Sequence, residues 1–351
     1  MSEIRINLYS DTQTRPTAAM REAMATAEVG DEQRGEDPSV NRLCEAVAEL
    51  LGKEDAVFLP SGTMCNEIAI LVHCRPGDEI IADRTAHILN SEGGGPGALA
   101  GALVRPLDGA RGIFTAAEAQ AAVRGGSRHE PRTRMIAIEQ TSNLGGGTIW
   151  PLEAIGEIAE VARTHGLVMH MDGARLMNAV VASDHAARDF AAPFDSVWLD
   201  LSKGLGCPVG AVLAGSREFI GEVWRWKQRI GGAMRQAGIV AAAGIYALEH
   251  HVDRLAEDHA HAKLFAEAIA GAPGVRVEPE HVETNMVFFD VAGTGSSAPG
   301  LSASLETQGI RIGATDETRL RAVTHLDVSR AQVEEAAQVV VATLGRGAAA
   351  S

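Results

Sequence analysis

The chain has 351 residues, of which 46% are hydrophobic, and its 31 basic and 46 acidic side chains give a formal net charge of −15. Such acidity disfavours a nucleic-acid or anionic-membrane partner, while the length is sufficient for a buried core divided between two domains. The four cysteines form no C-x-x-C pair, so we expect reduced thiols in a cytoplasmic protein and no zinc site. We also expect no membrane-spanning helix, which needs about 20 consecutive apolar residues.

Short apolar runs alternate with amphipathic stretches, a pattern typical of helices packed on a mostly parallel sheet. From about Tyr246 the pattern changes to a long charged helix and then to the strands of a small α+β domain. We therefore predict a large domain over residues 1–248 and a small one over 249–351, with 345–351 fraying at the end. The predicted helices cover 40–51, 65–73, 152–164 and 247–270, and the predicted strands cover 56–60, 79–82, 135–139, 285–290, 310–312 and 320–325.

Histidines in the long charged helix do not predict a metal site. His250, His251, His259 and His261 alternate with acidic residues, which indicates a solvated helix face. No three of them fall at the spacing of metal ligands.

Two predicted strands end in polar residues that suit a pyridoxal phosphate site. The run 195–201 leads to Lys203, and the run 166–171 leads to Asp172 and Arg175. Ligands of open α/β sheets sit outside the carboxyl ends of strands, so the three side chains are expected in one crevice. A desolvated lysine suits Schiff-base chemistry, and a carboxylate can keep a pyridine nitrogen protonated. Taken singly, a snorkelling lysine and a helix-end acid with a surface cation account for the same residues.

Three further segments supply candidates for cofactor contacts. Ser61, Gly62 and Thr63 open a predicted helix whose first amides can receive a phosphate, although a simple helix cap explains them too. His87 follows a strand and can stack on a flat ring, or can equally be a capping or core histidine. Arg235 follows a glycine-rich loop and suits either a phosphate or a salt bridge.

Taken in order, these and other motifs resemble the low-specificity L-threonine aldolases, a family of pyridoxal-phosphate enzymes. The resemblance extends over nearly the whole chain, up to Asp327. It implies an α/β fold of the aspartate-aminotransferase-like, fold-type I class, with a large domain on a mostly parallel sheet. The motifs are Ser10-Asp11-Thr12, Thr14-Arg15-Pro16, Gly35-Glu36-Asp37-Pro38, Ser61-Gly62-Thr63-Met64, Asp172-Gly173-Ala174-Arg175, Leu201-Ser202-Lys203-Gly204 and Met234-Arg235-Gln236.

The resemblance also implies a role for each matching residue. Lys203 would form the Schiff base with pyridoxal phosphate, Asp172 would pair with its ring nitrogen, and His87 would stack over the ring, so these three are the expected catalytic residues. Family members are tetramers built from dimers, with active sites shared between subunits, and the same assembly is implied here. The expected phosphate contacts are Ser61, Gly62, Thr63 and Arg235, and the expected contacts to the substrate carboxylate are Ser10, Arg175 and Arg321.

The implied reaction is cleavage of L-threonine, L-allo-threonine or a related β-hydroxy-α-amino acid to glycine and an aldehyde. Two residues expected on the substrate side depart from the family pattern. Ser142 stands where a histidine is usual, which leaves His87, a water or an unidentified group to take the β-hydroxyl proton. Arg34 stands where a tyrosine is usual, and an acidic or larger β-substituent and a subunit-interface ion pair explain it equally well.

Other functions are also compatible with these residues. Another pyridoxal-phosphate lyase or a racemase would use the same cofactor contacts and differ around the β-substituent. A dinucleotide oxidoreductase is suggested by Gly204-Leu205-Gly206, but Pro208 interrupts the following helix start and the third glycine is displaced to Gly210. A non-catalytic protein of the same fold is the remaining alternative.

Overall fold

The computed structural model describes residues 3–278, 280 and 282–348. The helix predicted to fray after residue 345 continues to Ala348, and residues 349–351 lie outside the described part. Short 3-10 turns cover Asp11–Gln13, Glu32–Arg34 and Ala292–Thr294. The helices are α1 (Ala18–Ala25), α2 (Pro38–Leu51), α3 (Gly62–His73), α4 (His87–Asn90), α5 (Gly95–Ala100), α6 (Ala116–Ala122), α7 (Leu152–His165), α8 (Leu176–Val181), α9 (Ala187–Ala191), α10 (Arg217–Arg229), α11 (Gly238–His250), α12 (Leu255–Ala270), α13 (Ala298–Thr307) and α14 (Arg330–Ala348). The strands are β1 (Ile6–Asn7), β2 (Asp55–Leu59), β3 (Asp78–Asp83), β4 (Leu103–Leu107), β5 (Arg132–Glu139), β6 (Val168–Gly173), β7 (Ser196–Asp200), β8 (Ala211–Gly215), β9 (Arg276–Glu278), β10 (Met286–Asp290), β11 (Ile310–Arg311), β12 (Gly313–Ala314) and β13 (Arg319–Val323).

A seven-stranded sheet in the order β2-β8-β7-β6-β5-β3-β4 forms the centre of the larger, N-terminal part of the fold. Its strands are parallel except β8, which runs antiparallel to both neighbours. Every residue of β3, β6, β7 and β8 is buried, as is typical of a mostly parallel sheet with both faces covered. The predicted α/β class with a mostly parallel sheet is confirmed.

The strand register determines where the polar strand ends meet. Glu139 at the end of β5 pairs with Asp172 of β6, and Asp172 pairs with Trp198 of β7. Because β5, β6 and β7 are parallel, their carboxyl ends lie at the same edge of the sheet. The residues that follow these strands therefore converge on one crevice.

Helix α2 illustrates how local sequence sets an element's limits. Asp37 caps its first turn by accepting a hydrogen bond from the Val40 amide, and Pro38 occupies the first helical position, where its missing N–H costs nothing. Gly52 ends the helix with a φ of 64°, a left-handed conformation that favours glycine. The predicted end of this helix at residue 51 is confirmed.

The C-terminal part of the chain forms a second layer. The antiparallel sheet β12-β13-β10-β9 packs with α12 and α14 around its own apolar core. Strand β1 pairs in parallel with β11, so Ile6 and Leu8 contribute to this second core. The division at residue 248 stays a prediction, and β1 is a contact that crosses it.

The predicted single helix over 247–270 is wrong, because it is interrupted between α11 and α12. Helix α11 packs on α1 and α2, whereas α12 packs on α14 and β10, and one straight helix cannot bury a face against both cores. At the break, His251 Nδ1 lies 2.7 Å from the Leu205 carbonyl oxygen. The predicted solvated histidine face is also wrong for His251 and His259, which are both buried. Among the described residues, no helix has both the length and the apolar content needed to cross a membrane.

Candidate active site

A cavity of about 420 Å³ lies at the carboxyl ends of β5, β6 and β7. It is lined by polar side chains from both layers of the fold, because Arg321 of β13 reaches it from the second sheet. The predicted residues that line it are Ser10, Ser61, Gly62, Thr63, His87, Asp172, Arg175, Lys203 and Arg321.

The amine of Lys203 is held at the cavity by a carboxylate three residues before it. Lys203 Nζ lies 2.8 Å from Asp200 Oδ2 at the end of β7. The backbone carbonyl of Lys203 accepts a hydrogen bond from Thr14 Oγ1 at 2.8 Å. The lysine is therefore a partly buried amine with a fixed counter-charge, in a position to react with a carbonyl group in the cavity.

Asp172 is a buried carboxylate supported by two donors. Its Oδ2 accepts from Asn66 Nδ2 at 2.9 Å and its Oδ1 accepts from the Ala174 amide at 3.0 Å. Burial, followed by the charge of Glu139, raises the pKa of Asp172 to about 7. Such a carboxyl gains most from a cationic partner in the cavity, since a neighbouring positive charge offsets the cost of its ionisation.

His87 begins α4 and is oriented through both its backbone and its ring. Its amide donates to Glu139 Oε2 and its Nδ1 lies 2.7 Å from Glu92 Oε1. The hydrogen bond to Glu92 is the main reason why the pKa of His87 is raised. The ring is thereby fixed at the cavity with one nitrogen engaged by protein.

The first turn of α3 faces the cavity. Ser61 is its cap, with Oγ accepting from the Met64 amide at 3.2 Å. A Cβ added at Gly62 would lie 2.2 Å from the Trp198 ring, so only glycine lets the helix start approach β7 this closely. The free amides and the positive end of this twelve-residue helix can bind a phosphate.

Two arginine side chains line the cavity, and they differ in whether their positive charge is paired with a carboxylate. Arg175 donates from Nε and Nη2 to the two oxygens of Asp11, both at 2.7 Å. Burial opposes the ionisation of Asp11, but Arg175 outweighs burial and holds the pKa of that carboxyl well below its usual range. Arg321 donates from Nη1 to the neutral amide oxygen of Asn143 at 2.8 Å. Its charge remains available to an anionic ligand.

Comparison with known proteins identifies the family of the chain. Residues 7–292 match the model of the beta-eliminating lyase family. The chain is 43% identical over 335 residues to the low specificity L-threonine aldolase of Escherichia coli (strain K12), which covers 95% of this chain and 97% of the relative. The chain belongs to the beta-eliminating lyase family. Low-specificity L-threonine aldolase 1 of Arabidopsis thaliana is 40% identical over 333 residues, 93% of each chain.

A solved structure supports the same fold. The Leishmania major threonine aldolase superposes with a TM-score of 0.82 over 97% of this chain and 99% of that chain. Its sequence identity to this chain is 20%, so the likeness concerns the fold alone.

Pyridoxal phosphate is the cofactor of this family of lyases, as predicted, and the residues of the cavity fit it. Lys203 offers a primary amine, and the start of α3 at Ser61, Gly62 and Thr63 lines the cavity, where a helix N-terminus can receive a phosphate. Asp172 is a buried acceptor that needs a cationic partner, which a protonated pyridine nitrogen provides.

Three predicted site residues do not reach the cavity of this chain. Arg34 pairs with Glu36 at 2.9 Å and is 71% exposed, and Arg235 pairs with Asp31 at 2.8 Å and is 63% exposed. Ser142 is buried, and its amide donates to the Thr148 carbonyl. A Cβ at Gly112 would lie 1.9 Å from Ser142 Oγ, so this hydroxyl packs against a neighbouring loop instead of facing the cavity.

Several residues of the site were missed by the sequence interpretation. Asp11, Glu139 and Asp200 each had a signal, because each lies within or beside a motif that carries a predicted site residue. Asn66 and Glu92 had none, because an amide within a helix and an acid in a loop are common at any surface. Their roles appear only through their contacts with Asp172 and His87.

Proposed function

We propose that the protein cleaves L-threonine, L-allo-threonine or a related β-hydroxy-α-amino acid to glycine and an aldehyde, using pyridoxal phosphate. The observation that carries this proposal is the convergence of Lys203, Asp172 and Arg321 in one cavity of a chain 43% identical to a low specificity L-threonine aldolase. When bound, the cofactor supplies a cationic ring that accepts the electrons of the broken Cα–Cβ bond.

The carboxylate of the substrate is proposed to bind at Arg321, with Ser10 and Arg175 beside it. Arg321 forms no ion pair with a carboxylate in the described part of the chain and hydrogen-bonds a neutral amide, while Arg175 is paired with Asp11. A carboxylate fixed at one end would orient the rest of the substrate, so that these residues would decide which bond of Cα is placed to break.

Lys203, Asp172 and His87 are proposed to manage the charges of the reaction. Lys203 would hold the cofactor through its amine, and Asp172 would pair with its protonated ring nitrogen. His87 takes the β-hydroxyl proton on Nε2, because Nδ1 is engaged by Glu92 and a neutral imidazole then has its lone pair on the other nitrogen. Ser142, which is packed away from the cavity, has no part in this step.

The test compares purified wild type with Lys203→Ala and with Lys263→Ala, which removes an exposed lysine of α12. Wild type and Lys263→Ala should show the absorbance of lysine-bound cofactor and release glycine from threonine, allo-threonine and phenylserine. Lys203→Ala should lose both the absorbance and the glycine release. Normal glycine release by Lys203→Ala would overturn the assignment.

A second candidate is β-elimination, which the description of the matching family model favours. The same assay distinguishes it, because elimination yields ammonia and an oxo acid whereas aldol cleavage yields glycine and an aldehyde. Product identity with threonine therefore decides between the two reactions.

We also propose a homotetramer, a dimer of dimers in which Arg34 and Arg235 act in the cavity of a neighbouring subunit. Both side chains are exposed here, and exposed apolar residues, Val29 and Ile239, lie on the flanking segments. Sedimentation velocity should give the tetramer mass. Mixed and refolded Lys203→Ala and Arg235→Ala subunits should regain activity that neither has alone; no regain would refute shared sites.

A cytoplasmic location and the domain division 1–248 and 249–351 are further parts of the proposal. All four cysteines are unpaired, and Cys65, Cys74 and Cys207 are buried, as expected of thiols in a reducing compartment. Limited proteolysis near residues 251–254 would test the division.

A further inference from the structure

Two glutamates lie side by side next to His87, outside the residues that line the cavity. Glu67 of α3 and Glu92, which follows α4, are both buried. Glu92 Oε1 lies 2.7 Å from Asn66 Nδ2 and 2.7 Å from His87 Nδ1. The carboxyl of Glu67 lies close enough to that of Glu92 for the two to interact.

The hydrogen bonding of this pair is incomplete if both carboxyls are ionised. Both oxygens of Glu67 and Oε2 of Glu92 are buried and accept no hydrogen bond from a donor in the described part of the chain. Two carboxylates offer only acceptors, and two like charges that share a buried site disfavour each other. A single proton resolves both conflicts, since a protonated carboxyl donates to an ionised neighbour.

The surroundings are built to hold Glu67 in this place. A Cβ added at Gly95 would lie 1.9 Å from Glu67 Oε1, so the start of α5 leaves room for the carboxyl only because it is glycine. Of the elements packed against α3, α5 and β8 carry no charged residue. The charged or titratable groups on the elements packed against α3 are Asp55 of β2, His170 and Asp172 of β6, Asp200 of β7, and Arg217, Glu218, Glu222, Arg225, Lys227 and Arg229 of α10.

We propose that Glu67 and Glu92 share one proton, held on Glu67, and that Glu92 is thereby the singly charged acceptor that orients the Nδ1–H of His87. Both are positioning residues, and the consequence for catalysis rests on the proposed function of His87. Burial, together with the hydrogen bond and charge of Glu92, raises the pKa of Glu67 to about 8, in agreement with the shared proton.

The proton makes stability depend on pH in a defined direction. A carboxyl whose pKa is raised from 4.5 to about 8 on folding stabilises the folded state fully below the lower value, and this contribution is lost as pH rises to the upper one. Glu67→Gln donates a hydrogen bond to Glu92 at every pH and cannot ionise. The Tm of its holoenzyme, relative to that of wild type, should therefore rise with pH. The expected change in this difference is several degrees between about pH 5 and pH 8.

Two further variants, measured as holoenzymes, test whether the effect is specific to Glu67 and to its pairing with Glu92. Glu153→Gln, which removes an exposed carboxylate of α7, should keep a constant difference in Tm from wild type. When Glu92 is also replaced by Gln, the pH-dependent increase in Tm caused by Glu67→Gln should be smaller, because the like charge that helps to raise the pKa of Glu67 is absent. If Glu67→Gln does not fold, Glu67→Leu replaces it, with the same widening difference expected.

A difference in Tm that stays constant from about pH 5 to pH 8 would show that Glu67 has only a packing role and would overturn the proposal. A widening difference that survives unchanged in the Glu92→Gln background would overturn the pairing with Glu92. These measurements involve no turnover, so they remain decisive if the protein does not cleave β-hydroxy amino acids.

Discussion

Replacing Asp11 by asparagine removes one partner of the most deeply buried ion pair in the cavity. Asp11 is completely buried and the side chain of Arg175 is 5% exposed, with two hydrogen bonds of 2.7 Å between them. Asparagine keeps the size of the side chain but leaves the guanidinium charge uncompensated. Breaking a buried pair from one side costs about 3–5 kcal/mol, chiefly because a desolvated charge is left unpaired.

That cost corresponds to a lowering of Tm by roughly 4–7 °C for a chain of this length. Calorimetry and urea unfolding of the Asp11→Asn holoenzyme would measure it. The matched control is Glu335→Gln, which breaks the exposed pair with Arg5 and should leave Tm unchanged, since exposed pairs are screened by solvent. Loss of stability in Asp11→Asn no greater than in Glu335→Gln would refute the reasoning.

Adding glycine to both proteins gives a second measurement in the same experiment. The carboxylate of glycine would partly replace the charge that Asp11 supplies to Arg175. Glycine should therefore raise the Tm of Asp11→Asn more than that of wild type, because a ligand that restores a lost partner binds the variant's folded state with an added gain. An equal rise in both proteins would place the ligand carboxylate away from Arg175.

Three other substitutions have defined outcomes. Gly62→Ala should weaken binding of the cofactor, measured by absorbance titration, because the new Cβ would meet the Trp198 ring at 2.2 Å. Glu32→Gln should lower unfolding free energy in urea by about 3–5 kcal/mol, because Lys227 is fully buried and its ammonium lies 2.8 Å from Glu32; an unchanged midpoint would contradict this. Cofactor-free Asp172→Asn should gain stability on cofactor-free wild type as pH rises, because the pKa of Asp172 is raised from 3.8 to about 7 and the stability of its neutral form is lost across that window. A pH-independent difference in Tm would contradict that prediction.

The fold could be predicted wherever one element carried its own signal. Asp37, Pro38 and Gly52 mark the limits of α2, and β8 is apolar from end to end; capping and apolar runs are both local properties of the sequence. The break between α11 and α12 could not be predicted from the helical pattern. It arises because the first half of this stretch packs on α1 and α2 and the second half packs on α14 and β10.

The residues of the site also differ in whether a local sequence signal could predict them. Lys203 and Asp172 could be predicted because Asp172 lies at the end of β6 and Lys203 three residues after the end of β7, and parallel strands bring their ends to one edge of a sheet. Arg34 and Arg235 have the right chemistry, but their side chains pair with nearby carboxylates at the surface of this chain. A long side chain after a turn can point in many directions, and no spacing in the sequence selects one.

The sequence by itself determined the family motifs, the strand ends and the helix caps, since these depend on residue type and short-range spacing. Only the tertiary structure decided that Asp11 neutralises Arg175 and that Arg321 stays available. It alone brought Glu67 to Glu92 as well. Those partners are far apart or on different elements along the chain, and the energy of each pair depends on distance and burial, which are properties of the folded molecule.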